Sequence, residues 1–260
     1  NNSLENRNKP LCADVPIIGI GNQPIDNGHY LFTTDERDAF LLIEPQAEPY
    51  FREWIGSNEF LKGIQRWCLW LGDCEPSTLR NMPESMTRVR LVQEWRRTSK
   101  RNATQKLADT PRKFQVKNMP TSSYLLIPEV SSERRNYLPI GFIQPPAICS
   151  NLVKIAIKAE IYHFGILSSN MHNAWMRAVC GRLESRYRYS SGIVYNNFIW
   201  PNEISKEKRR IVENCAQAIL DIRAEFAIRH RCTKCARIHQ NAVEFCGSCS
   251  GLVETSRNTL

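Results

Sequence analysis

Six long hydrogen-bonding side chains crowd one short stretch: Arg182, Glu184, Arg186, Tyr187, Arg188 and Tyr189. Arginine can donate two parallel hydrogen bonds, glutamate can accept from an amino group, and tyrosine can stack or touch a phosphate. Held still, such a group reads a polar ligand. Two other sets of residues carry chemistry. From Arg80 to Lys117, eleven Lys and Arg residues stand against Glu84, Glu94 and Asp109, a local charge of +8. Near the end, Cys232, Cys235, Cys246 and Cys249 form C-x2-C-x10-C-x2-C, which suits a tetrahedral Zn2+ held by two knuckles, although the intervening loop is shorter than in the usual zinc ribbon.

The elements that must position the polar stretch lie around it. Residues 165–179 read as an amphipathic helix, with Ser168 or Ser169 as cap, Met171, Ala174, Trp175, Ala178 and Val179 on one face, and Gly181 as the stop. The polar residues then form a loop at a braced end. His163 and His172 read as hydrogen-bonded structural residues, without partners at metal spacing.

Upstream, Tyr124–Ile127, Tyr137–Ile143, Leu152–Ile157 and Ile161–Leu167 read as strands of an antiparallel meander, and residues 193–199 as a further strand. Short strands are expected at Ile17–Ile20, His29–Thr33 and Ala39–Ile43, a helix or two from Tyr50 to Gly63, and a core strand over Gln65–Leu71. A long basic helix should run from Pro83 to Thr110, before Pro111, and another from Glu203 to Phe226 with Ile211, Cys215, Ile219 and Ile222 on one face. Gly19-Ile-Gly21 lacks the third glycine and the helix of a nucleotide loop and reads as a turn. The fold class is therefore α+β, an antiparallel sheet with packed helices, a helical C-terminal portion and a possible small zinc-ribbon-like tail. Domain limits fall at 1–16 (linker), 17–201 (recognition domain), 202–228 (C-terminal helix) and 229–260 (cysteine-rich tail).

The 260 residues carry a formal charge of +9, with 42% hydrophobic and 23% charged residues. No apolar run approaches the ~20 residues needed to span a bilayer, so no membrane partner is expected. A concentrated basic surface suits a polyanion such as nucleic acid, though charge alone is equally compatible with a solvated helix face. Cys12, Cys68, Cys74, Cys149, Cys180 and Cys215 read as reduced residues of a cytosolic protein. A chain opening on Asn1 rather than Met is expected to be part of a longer one.

Several phrases together resemble one family. They are Trp67-Cys-Leu-Trp-Leu71, Lys106-Leu-Ala-Asp-Thr-Pro111, Tyr124-Leu-Leu-Ile-Pro128 followed by Ser131-Ser-Glu-Arg-Arg135, Tyr162-His-Phe-Gly-Ile-Leu167, Ser169-Asn-Met-His172, Arg182-Leu-Glu-Ser-Arg-Tyr-Arg-Tyr189 and Tyr195-Asn-Asn-Phe198. In order, from Ile17 to Phe226, they are similar to the target recognition domain of the MmeI-type DNA methyltransferases, restriction-modification proteins that methylate the adenine amino group with S-adenosylmethionine.

The resemblance implies a bacterial, cytoplasmic fragment that reads double-stranded DNA for a methyltransferase domain of the same parent chain. It implies base contacts at Glu129, Asn151, Glu184, Arg186 and Arg188; relatives often carry Lys-x-Asp where this chain has Glu184-Ser185-Arg186. Without the resemblance, the favoured reading is that Glu184 and Arg186 merely pair with each other on the surface. Arg96, Arg97, Lys100, Arg101 and Lys106 are the expected backbone-phosphate contacts. The chain has no Asn-Pro-Pro-aromatic motif for a flipped adenine and no glycine-rich loop placed for S-adenosylmethionine, so catalysis and its cofactor are expected only in a separate domain. After Phe226 the sequence departs from the family. The rival reading is a free-standing zinc-ribbon module that binds nucleic acid or protein without sequence specificity.

Overall fold

The computed structural model describes residues 4–232, 238–239 and 253–257, and from residue 225 onward the backbone alone. In chain order the first elements are β1 (Ile18–Ile20), β2 (Leu31–Thr33), α1 (Thr34–Ile43), β3 (Phe51–Ile55), α2 (Ser57–Lys62), β4 (Arg66–Leu69), α3 (Pro76–Arg80), α4 (Pro83–Arg97) and α5 (Asn102–Gln105). There follow β5 (Tyr124–Pro128), β6 (Val130–Ser131), β7 (Gly141–Ile143), β8 (Ile148–Cys149), β9 (Val153–Ala156), α6 (Ile161–Ser168), α7 (Asn170–Val179), β10 (Gly181–Leu183), β11 (Arg186–Arg188) and α8 (Lys206–Ala227). Beyond α8, β12 (Ile228–Cys232) pairs antiparallel with β13 (Ile238–His239) and β14 (Val253–Arg257).

Two four-stranded sheets carry the fold, in the orders β2-β4-β3-β8 and β1-β9-β5-β7. The second is antiparallel throughout but is not a meander: β7 and β9 flank β5, and β8 leaves to pair in parallel with β3 of the first sheet. Every residue of β5 is buried, because both of its faces are covered. Leu125 and Ile127 face a core with Phe164, Tyr195 and Trp200, while Tyr124 and Leu126 face one with Phe60 and Ile155. A third cluster, with Phe32, Trp54, Leu69, Trp70 and Val92, covers the first sheet. Gly21 lets the end of β1 approach the β8 turn, since a Cβ there would fall 2.2 Å from the Ser150 carbonyl oxygen. Asn22 fastens the approach by donating to the Cys149 and Asn118 carbonyls.

Several expectations are corrected. Ala39–Ile43 ends helix α1, which a capping box starts: Thr33 Oγ1 accepts from Glu36 N, and Glu36 accepts from Thr33 N at 2.7 Å. Phe51–Ile55 is a strand, because Phe51 and Trp54 pack into the first core while β4 and β8 take its hydrogen bonds. Ile161–Leu167 is helical; it buries Tyr162, Phe164, Ile166 and Leu167 and sets Gly165 against Val212 and Ala216 of α8. Residues 191–195 form a helical turn rather than a strand, started by Ser190, whose Oγ accepts from Ile193 N.

The helix after Pro83 breaks at Thr98–Arg101 and resumes briefly as α5, since the chain must fold back to cage Arg96. In α7, Met171, Ala174 and Ala178 are exposed while His172, Asn173 and Met176 are buried. The buried face is polar at two positions because each finds partners: Asn173, for example, accepts from Leu138 N at 2.8 Å. Similarly, α8 turns Val212, Ala216 and Leu220 toward the core and leaves Ile211, Cys215, Ile219 and Ile222 exposed. The opening segment, expected as a linker, has no regular structure in residues 4–16 yet lies along the 191–197 turn, with Arg7 N and Leu11 N donating to the Gly192 and Asn196 carbonyls.

Candidate functional site

The stretch expected as a loop is a hairpin. Strands β10 and β11 pair with Gly181 opposite Arg188 and Leu183 opposite Arg186, leaving Glu184 and Ser185 as the turn. Glu184 sits at φ 57°, a left-handed conformation that costs a residue with a Cβ about 1–2 kcal/mol. Arg182 helps hold the turn by donating to the Ser185 carbonyl, and its guanidinium lies 4.1 Å from the Tyr187 ring centroid.

Two attachments fix the hairpin to the body. Strand β11 pairs with β6, Arg188 opposite Val130, and Tyr189 N donates to the Glu129 carbonyl at 2.7 Å. The Tyr189 ring is buried, its hydroxyl 3.1 Å from His172 Nε2, while His172 Nδ1 lies 3.0 Å from the Leu167 carbonyl. A carbonyl only accepts, so Nδ1 carries the proton and Nε2 accepts from the tyrosine. Burial pushes His172 down to about 4 and raises Tyr189 well above its ordinary value. Both therefore stay neutral at pH 7, and α7 is the brace.

Beside the hairpin, Glu129 occupies the junction where β5 of one sheet passes into β6 of another. Its Oε1 accepts from Arg188 Nε at 3.0 Å and its Oε2 from Lys154 Nζ at 2.8 Å. Burial alone would raise the Glu129 pKa, but the hydrogen bonds and charges of Lys154 and Arg188 outweigh it and hold the carboxyl below the usual range. Asn151 lies in the turn between β8 and β9. Glu129, Asn151, Arg186 and Arg188 all line one cleft of about 970 Å³, whose other wall includes Asn27, Gly28, Asn58, Lys62, Arg66 and Trp95. At the hairpin tip, Glu184 pairs with Arg186 at 2.9 Å.

The expected phosphate contacts divide. Arg97, Lys100, Arg101 and Lys106 are exposed. Arg96 is not available to a phosphate: it is fully buried, and its guanidinium donates to the carbonyls of Pro24, Ile25, Leu107, Thr110 and Lys113 at 2.7–3.0 Å. All five N–H groups are thereby matched to backbone oxygens of the folded-back chain.

Sequence reasoning missed Lys154 and the facing wall with Trp95. A faint signal for Lys154 exists, since it is the charged residue of an otherwise apolar strand, Val153-Lys-Ile-Ala156. Among the described residues no group of three or more His, Cys, Asp or Glu side chains is placed to hold a metal, and Cys235, Cys246 and Cys249 lie outside them.

The family model of the MmeI target recognition domain matches residues 1–202. The chain belongs to that family. A solved structure of the Type IIL restriction-modification enzyme MmeI in complex with DNA superposes with a TM-score of 0.83 at 43% identity, covering 86% of this chain and 30% of that one. DNA methyltransferase A of Bacillus subtilis (strain 168) is 40% identical over 222 residues, which is 85% of this chain and 25% of the relative. The chain thus spans about a quarter of the length of that curated relative. A match to the MmeI target recognition domain over most of the chain does not favour the free-standing zinc-ribbon reading. The mixed α/β architecture described above is that of the MmeI domain. Among the described residues no helix is long and apolar enough to cross a membrane.

Proposed function

We propose that this chain reads a DNA sequence on behalf of a bacterial, cytoplasmic adenine methyltransferase, whose catalysis and S-adenosylmethionine belong to a catalytic domain of the parent chain. One observation carries the reading. Residues scattered from Glu129 to Arg188 converge on a single cleft, with their acceptors and donors arranged on a braced hairpin and the adjoining turns. Their chemistry matches base edges: arginine suits guanine, glutamate the cytosine amino group, and asparagine adenine, each good bidentate pair discriminating by about 1–3 kcal/mol. Arg97, Lys100, Arg101 and Lys106 supply sequence-independent attraction to phosphates.

The test is selection from a randomised duplex pool by the chain and by its Glu184→Lys/Arg186→Asp double variant. The double variant is expected to enrich a different base at one position and keep the rest of the consensus. An identical consensus from both proteins would sink the assignment of that pair. Equal retention of all sequences by the unaltered chain would sink sequence reading altogether.

A further inference from the structure

Glu129 has two cationic partners that differ in kind. Lys154 sits on β9, an inner strand whose backbone is paired on both sides, Lys154 lying opposite Ile20 of β1 and Ile127 of β5. Its side chain is only 12% exposed, against 57% for Arg188, with Glu129 between them at 20%. An ammonium so covered cannot meet DNA directly with any freedom, yet it touches a carboxylate that lines the cleft. Arg188, more than half in water, can leave.

We propose that Lys154 is the positioning residue of this reader: anchored in the sheet, it holds Glu129 by Oε2 so that Oε1 stays aimed at the cleft, while Arg188 caps Oε1 until a base replaces it. The inference rests on the DNA-reading function above and deepens it. In the unbound protein the carboxylate and Arg188 satisfy each other. On binding, Oε1 is freed for a base amino group and the Arg188 guanidinium for a second acceptor, while Lys154 keeps Glu129 from swinging out. Lysine supports this where arginine would not without cost, because a single compact ammonium on a strand fits one carboxylate oxygen. Glu129 and Arg188 then act as one coupled unit, so discrimination at their two base positions is not additive.

Duplex-pool selection and binding titrations on the full chain test this, with Lys154→Met, Lys154→Gln and Lys154→Arg, and with Lys154→Met placed on Glu129→Gln. Loss of the lysine charge is expected to lower discrimination at one base position about tenfold, within the range of one bidentate contact. Affinity for non-cognate duplex should stay within about twofold, as expected when no phosphate contact is removed. Lys154→Arg should restore part of the discrimination, and Lys154→Met should add nothing once Glu129 is Gln. If Lys154→Met does not fold, as judged by its melting, Lys154→Gln carries the same comparison with a side chain that can still donate. A wild-type consensus that all the charge-removing variants reproduce would overturn the positioning role while leaving DNA reading intact. A uniform loss on every sequence would overturn it too, by making Lys154 a phosphate contact. A wild-type chain with no consensus would instead remove the reading on which the inference rests.

Discussion

At the end of α4, Arg96 is sealed from water and places all five N–H groups on backbone carbonyls. At the hairpin, Arg188 is more than half exposed and meets one carboxylate oxygen. Both lie in arginine-rich stretches, and charge density alone does not tell them apart. The difference is what the backbone leaves unsatisfied nearby. Around Arg96 the chain turns back through Leu107, Thr110 and Lys113 and, with Pro24 and Ile25, turns five carbonyls toward one point, so the guanidinium becomes part of the fold. Around Arg188 the strands complete their own hydrogen bonds, and the side chain is left to the cleft.

Three measurements sharpen or break that contrast. The largest effect is expected from Arg96→Met, which orphans buried carbonyls and should lower stability by about 3–5 kcal/mol in chemical denaturation. Arg188→Met should cost at most about 1 kcal/mol, as for an exposed ion pair. Equal losses would mean that the two arginines play the same part.

Next comes acid. The folded His172 pKa of about 4 lies below an unfolded value near 6.5. Between those values the unfolded chain binds more protons, so this contribution is complete above about pH 6.5 and is lost as pH falls toward 4, by about 3 kcal/mol in all. Glu129, also depressed, loses its contribution in the same direction below its ordinary range. The hairpin should therefore open before the first sheet, seen as earlier amide exchange across residues 181–189, and His172→Gln should remove the His172 part of that dependence while leaving the part due to His163, which burial also lowers. Simultaneous exchange of both regions would break the distinction.

The smallest effect concerns the exposed cations. Replacing Arg97, Lys100 and Arg101 by Gln should weaken binding to every duplex alike and flatten the log–log salt slope by about 0.9 for each phosphate that is no longer neutralised. It should leave the consensus unaltered, and a changed consensus would place these residues on bases.

Local signals made some of this legible in the residues. The dense apolar words of β5 and β9 read correctly as strands and α8 as a helix by its length, although its buried face carries Val212, Ala216 and Leu220 rather than Ile211, Cys215, Ile219 and Ile222. Short apolar runs did not: Ala39–Ile43 and Ile161–Leu167 have strand length, yet a capping box starts one helix and packing against α8 sets the other. Periodicity cannot separate a short buried helix from a strand. At the site, the wording of the chain points to Glu129, Asn151, Arg186 and Arg188, which the fold brings to one cleft, but not to Lys154, since its significance depends on which carboxylate its strand brings within reach.

The family, the polar character of residues 182–189 and the excess of positive charge follow from residue identity and order alone. That the polar stretch is a hairpin clamped by His172, that Arg96 belongs to the interior and that Glu129 has a sheet-borne partner follow from the folded chain. Each of those depends on contacts between residues distant in the chain, whose free energy is set by burial and by the pairing of donors with acceptors across strands. No local pattern encodes that pairing.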